Sequence, residues 1–288
     1  MRGLLAAVFV ASACSHSVAT TPAVPREADP AADPLAFLPA DSELVVELRF
    51  RVLAASQAWH ELGPAITSAL QKTLSSRAWA DCVWGKTDRL DRTTVAFKGQ
   101  RTIGVVRTLA ASETFACLQR ELPGDGAKIV SDRGVVVAYF GRAAMAFALV
   151  GPNAIVFDVD RTAGHDSVSA VVASGAPLRA VPRFVDKHRV VPDDAAAWMI
   201  SNGSSPMIDA LGAHALDATV FLSDHLYAEG HLETASVEAS NQLAATLREQ
   251  AVPARQFFDA LQITAEGPVV KIHATTARLD TLLHVLLP

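Results

Sequence analysis

The sequence predicts an α+β fold: antiparallel sheets with helices on one face, built as two pseudo-repeated units. Three observations carry this expectation. Short runs rich in branched residues alternate with segments whose apolar residues recur at three- and four-residue steps. Tight turn signals such as Lys98-Gly99-Gln100 and Asp132-Arg133-Gly134 join neighbouring runs, as hairpins do and parallel crossovers do not. The order strand, helix, hairpin, helix, hairpin, helix describes residues 43–173, with one additional hairpin, and again residues 195–287.

Taken in order, Glu43–Phe50 is rich in branched residues and reads as a strand. Ser56 then caps a helix in which Trp59, Leu62, Ile66, Leu70 and Leu74 form the apolar stripe, to about Ser76. Trp79, Cys82 and Trp84 follow in a compact turn. Arg92–Lys98 and Arg101–Leu109 form a hairpin. Ser112 is expected to cap the next helix, whose face is Phe115, Leu118 and Leu122, and Pro123-Gly124-Asp125-Gly126 ends it. Two further hairpins, 127–140 and 143–159, make a four-strand meander. Helices are expected at 165–173 and 181–188. The second unit repeats the scheme: a strand at 195–201, a short helix at 207–211, hairpin strands at 218–223 and 226–234, a helix at 236–249, a hairpin at 261–274 and a closing helix at 276–287. Leu38-Pro39-Ala40-Asp41 precedes the first strand, as Val191-Pro192-Asp193-Asp194 precedes its counterpart.

Composition sets the class. Half of the residues are apolar and 19 % are charged, so a packed core forms and general disorder is excluded. The net charge of −5 is mild, and no Lys/Arg stripe interleaves with aromatics, so no nucleic-acid partner is expected. Met1–Gly3 carries one positive charge, an apolar run follows from Leu4 to Ala11, and Ala11-Ser12-Ala13-Cys14 closes it. That is a secretory signal, too short to span a bilayer as a mature helix. The closing residues resemble the lipobox of bacterial lipoproteins, in which the cysteine becomes the lipidated N-terminus. The resemblance implies a signal peptide at 1–13, lipidation of Cys14, and a partner that is the membrane itself, reached through the N-terminal lipid. Cleavage by ordinary signal peptidase, with Cys14 incidental, is the alternative. Ser15 follows the cysteine where aspartate would retain a lipoprotein in the inner membrane. This favours the outer membrane, periplasmic side, with inner-membrane and surface-exposed anchoring left open. Residues 14–33, rich in Ala, Pro, Thr and Asp, read as a flexible tether. The folded units are then expected at 34–190 and 191–288.

Beyond Cys14, two of the three cysteines remain, Cys82 and Cys117, an even pair in an oxidising compartment. A bond between them would close a loop of about 35 residues and contribute roughly 3–4 kcal/mol in the chain-entropy account. Two buried free thiols are the alternative. A bond requires the helices carrying the two cysteines to lie on one side of the sheet.

From residue 38 onward the chain resembles a set of uncharacterised secreted lipoproteins of myxobacteria and their relatives. The resembling features are the Pro39-Ala40-Asp41 entry to the first strand, the cysteine after the first helix, Leu90-Asp91-Arg92-Thr93-Thr94-Val95, Gly104-Val105-Val106-Arg107 and Phe115-Ala116-Cys117-Leu118. The resemblance supports the disulfide and implies no activity.

Catalytic motifs are missing from the sequence. Gly124-Asp125-Gly126 lacks the lysine and helix of a phosphate loop, and there is no nucleophile elbow or zinc-protease helix. Asp158 and Asp160, with His165 nearby, are the weak candidates for a hard cation, against the reading of a solvated strand end followed by a helix start. His225 and His231, six apart on one strand, share a side but do not by themselves make a zinc site. The function expected is a non-catalytic binding or scaffold domain, with no cofactor, facing a protein partner in the periplasm. The alternative is a module holding lipid or another apolar ligand in a groove, which needs a cavity. A hydrolase or metal enzyme comes third and needs Asp158, Asp160 and His165 to share a pocket.

Overall fold

The computed structural model describes residues 33–60, 63, 76–173, 178–203 and 205–278. The signal peptide at 1–13, Cys14, the tether up to residue 32, most of the helix expected over 56–76 and nearly all of the closing helix lie outside the described residues.

Strand β1 (Leu44–Arg49) runs into α1 (Phe50–Ala55). Ser56 starts a second helical stretch at 57–60, its hydroxyl accepting from the Trp59 N–H at 3.1 Å. Helix α2 (Arg77–Cys82) precedes the hairpin of β2 (Leu90–Lys98) and β3 (Arg101–Thr108). Helix α3 (Ala111–Glu121) leads into the meander of β4 (Lys128–Asp132), β5 (Val135–Phe140), β6 (Ala143–Val150) and β7 (Ala154–Asp160). Then come α4 (His165–Ala173), α5 (Pro182–Arg189), β8 (Ala197–Ser201), α6 (Pro206–Asp209), β9 (Ala215–Leu222) and β10 (Leu226–Glu233). Helix α7 (Val237–Gln250) and the hairpin of β11 (Ala260–Glu266) and β12 (Val269–Thr276) complete the described chain.

These residues divide between two compact units. The first draws on 33–51 and 76–185, the second on 52–63 and 186–278. The chain thus passes between units within α1 and again within α5, where the sequence suggested a single division at 190/191.

In the first unit the strand order is β4-β5-β6-β7-β3-β2-β1, every pair antiparallel. In the second, β8 pairs with β9, and β9 turns back into β10. The Ser223 N–H donates to the His225 carbonyl at 3.0 Å, and the His214 N–H to that of Glu233 at 2.7 Å. β10 then pairs with β12, and β12 with β11. Strand for strand, β1-β2-β3-β7-β6 and β8-β9-β10-β12-β11 are one order used twice. The pseudo-repeat is therefore a repeat of topology, with the β4–β5 hairpin added to the first copy.

Packing in the first unit follows the strand alternation. Phe147 and Phe157 face α2 and α3: Phe115 meets Phe147 edge-on at 5.3 Å, and Trp79 meets Phe157 at 5.1 Å. The sequence suggested one helical layer, but α4 lies against the opposite face, its Val168 among Val135, Val137, Ala144, Ala146 and Ala148. The alanines of β6 leave room for it. The segment expected as a turn around Trp79 is helical because Ser76 caps it. Its hydroxyl accepts from the Trp79 N–H at 3.1 Å and donates to Asp125 at 2.8 Å, while Asp125 also accepts from the Ala78 N–H at 2.9 Å. Ser112, expected as a cap, lies inside the first turn of α3, which starts at Ala111 without a side-chain cap. In the second unit Ser236 does cap α7, its hydroxyl accepting from the Ala239 N–H at 3.1 Å. Arg133 (φ 46°) and Gly134 (φ 81°) both adopt the left-handed region that a two-residue hairpin turn requires.

Cys82 and Cys117 form a disulfide with a Cα–Cα distance of 5.7 Å, and α2 and α3 pack on the same face of the sheet. Replacing either cysteine with alanine is expected to cost about 3–4 kcal/mol, read as a fall in melting temperature that reducing agent reproduces in the parent and not in the variant. A second expectation concerns β3. A Cβ at Gly104 would lie 2.3 Å from Phe157 Cζ, in a ring already packed on Trp79. Gly104→Ala should destabilise by about 1–3 kcal/mol, measured by chemical denaturation.

Candidate functional site

The three weak cation candidates do not come together as a donor set. Asp158, on β7, is 1 % exposed. Both its oxygens accept from Arg101 on β3, Nε at 3.0 Å and Nη2 at 2.9 Å, so the carboxylate is satisfied by a bidentate pair. Asp160 is turned to its own strand end, accepting from the Arg161 N–H at 2.6 Å and the Thr162 hydroxyl at 2.9 Å. Those two bonds hold its carboxyl below the ordinary range. His165 Nδ1 lies 3.0 Å from Asp166 and 3.3 Å from Arg133. Among the described residues no group of three His, Cys, Asp or Glu is placed to hold a metal ion.

A cleft of about 1050 Å³ opens instead in the second unit. Its floor is one face of the β9–β10 hairpin. Period-two alternation puts Asp217, Thr219 and Phe221 of β9 on that face, with Tyr227, Glu229 and His231 of β10. The residues between them, Leu216, Ala218, Val220, Ala228 and Leu232, are buried. The other face of the β10–β12–β11 sheet is apolar, and α7 lies against β11 and β12 there, burying Ala244 and Leu247. The lining also includes Val52, Ala55 and Gln57 at α1 and after it, and Lys187, Val190 and Val191 at the end of α5 and after it.

The floor has two ends of different chemistry. At one, the Phe221 and Tyr227 rings meet edge-on, centroids 5.7 Å apart. At the other is a charge cluster. Lys187 Nζ lies 2.5 Å from Asp217 and 2.6 Å from Glu233. His231 Nδ1 donates to Asp217 Oδ2 at 2.8 Å, and its Nε2 is 3.6 Å from Glu229. Burial would raise the Asp217 carboxyl, but the hydrogen bond from His231 and the charge of Lys187 outweigh it and hold it below the ordinary range. For His231, the hydrogen bond to Asp217 is the leading cause and the charges of Asp217 and Glu229 add to it. Together they overcome burial and raise the imidazole above its ordinary value.

Reasoning from sequence singled out His231 and His225 for sharing a side. Both line the cleft, but His225 sits in the turn, paired with Asp224 at 2.8 Å. It did not single out Lys187, Asp217 or Glu229. The available signal was the run of polar and aromatic residues at alternate positions of β9 and β10, a pattern any solvated strand face also shows.

No protein-family model matches the chain, and no curated protein sequence does. Solved structures match. Crystal form III of TP0453 superposes with a TM-score of 0.55 at 11 % identity, over 88 % of this chain and 98 % of that one. The chain is similar in fold to TP0453. Crystal form I gives 0.54 at 10 % identity over 89 % and 98 %, and crystal form IV gives 0.55 at 10 % over 88 % and 96 %. At such identity the likeness to TP0453 establishes architecture alone.

The His231–Asp217 pair carries a pH signature. A raised imidazole stabilises the fold fully below the unfolded histidine value of about 6.5. The contribution is lost as pH rises through the higher folded value. Asp217, lowered, titrates only in the acid range and does not interfere. Melting temperature should therefore fall as pH rises past about 6.5 and through the raised imidazole value, and His231→Gln should flatten that slope.

Proposed function

We propose that this chain is a membrane-anchored bacterial lipoprotein whose folded part is a non-catalytic binding module, and that the second-unit cleft is where it binds. The cleft carries the reading. It has the volume of a small-molecule site, apolar walls and a few convergent polar groups at one end. Of the two binding readings, a scaffold for a periplasmic protein partner and a holder of lipid or another apolar ligand, the cleft favours the second. Most charged groups near it neutralise one another: Lys187 with Asp217 and Glu233, His231 with Asp217. They shape the end of a groove rather than present an acid and a base to a substrate.

The anchoring rests on Ala11–Cys14, which resembles a lipobox, and the disulfide is in keeping with an oxidising compartment. We place the protein at the outer membrane, on its periplasmic side, because Ser15 follows the cysteine. The fold-level likeness to TP0453 is compatible with a binding module and assigns no role.

Two measurements separate the parts of this proposal. Cys14→Ser should move the protein from the membrane fraction to the soluble fraction, and continued membrane attachment overturns the anchoring. Calorimetric titration with 1-octanol should give saturable binding that Thr219→Trp, filling the middle of the cleft floor, abolishes without loss of the folded state. Unchanged binding by that variant overturns the site.

A further inference from the structure

The charges lining the cleft specify more than an apolar guest. The lining holds four carboxylates, Asp194, Asp217, Asp224 and Glu229, against Lys187 and two histidines. Asp217 is engaged by Lys187 and His231, and Asp224 by the Ser223 hydroxyl and His225, each at 2.8 Å. Glu229 differs. Its side chain is 15 % exposed, His231 Nε2 lies 3.6 Å away, beyond hydrogen-bond length, and His273 of β12 stands opposite it in the strand register. It is a shielded carboxylate with acceptor capacity to spare. Tyr227 stands two residues away on the same strand face, its ring against Phe221.

A carboxylate beside an aromatic pair is a donor set for an organic ammonium. The positive charge meets the carboxylate, and the hydrogens around nitrogen lie on the ring faces, where the quadrupole is negative. An anionic head would meet the same carboxylate and be repelled. Val52, Ala55, Val190 and Val191 offer an aliphatic chain the wall it needs. We infer that the cleft takes a free single-chain amphiphile with an ammonium head, the head seated between Glu229, Tyr227 and Phe221 and the chain along the valine wall. This rests on the reading of the cleft as a binding site and adds the charge of its ligand.

The test is calorimetric titration of the full chain carrying Cys14→Ser with three probes of equal tail: octyltrimethylammonium, 1-octanol and octyl sulfate, all below micelle formation. The ammonium should bind one per chain, about tenfold tighter than the alcohol, with the sulfate weakest. Glu229→Gln and Tyr227→Leu should each remove that tenfold advantage of the ammonium over the alcohol. The glutamine variant is isosteric, so the test survives if the leucine variant fails to fold. Equal affinity for the three probes, or tightest binding of the sulfate, overturns the ammonium assignment while octanol binding upholds the cleft. Binding of none overturns both. Displacement of the ammonium probe by phosphatidylcholine vesicles, with the vesicles taking up the protein, would assign the head to a bilayer lipid and overturn the free-amphiphile assignment.

Discussion

The second unit depends on the pairing of β10 with β12. With β12 on one side and the turn to β9 on the other, β10 has a fixed register and the two sides of its backbone have fixed fates. Ala228 and Leu232 go into the core, opposite Ala274 and Val270. Tyr227, Glu229 and His231 go to the other face. A slip of one residue would bury two charges and expose the core, so the hydrophobic pattern enforces the register. The same constraint that closes the core therefore lines up the cleft floor, and no separate device is needed to position it.

Comparison between the two units sharpens this point. They share a strand order, and each follows its central hairpin with a helix, α3 or α7, laid against the sheet. They differ on the opposite face. In the first unit α4 covers the meander there, seated on valines and alanines. Across β1, β2 and β3 the charges are paired with one another: Arg49 with Glu47 at 2.8 Å, and Arg92 and Arg107 with Asp91 at 3.4 and 3.6 Å. In the second unit that face keeps an aromatic pair and a lightly engaged carboxylate inside a concave wall. One plan used twice carries a helix on that face of the first unit's meander and a cleft on that face of the second.

Much of the architecture was legible in the sequence because it is written in short-range signals. Turn glycines, strand alternation and the Ser236 cap each act within a few residues, so the element order and the repeat could be read directly. The cysteine pair was legible through counting and compartment. The meander's second helical face was not, since it depends on the small volume of Ala144, Ala146 and Ala148 after the sheet has formed. Ser112 misled because a capping residue type can stand one position inside a helix. The cleft was least legible. His231 alone looks like a half-buried histidine; its partner Asp217 is 14 residues away, and Lys187, which pairs with Asp217, is 44 away (they meet only through the hairpin and α5). The Asp158, Asp160 and His165 group showed the opposite failure: near in sequence, each is taken by a different partner, Asp158 by Arg101 of a neighbouring strand and the other two by residues beside them.

The central claim is that the outward face of the β9–β10 hairpin is a ligand site. Amide chemical-shift mapping tests it most directly, with isotopically labelled protein titrated with octyltrimethylammonium. The account predicts shifts confined to Asp217, Thr219, Phe221, Tyr227, Glu229 and His231 and the wall residues Val52, Ala55, Val190 and Val191, with α7 and the first-unit meander unmoved. Shifts centred on α7 or the meander, or no saturable shift anywhere, would contradict it.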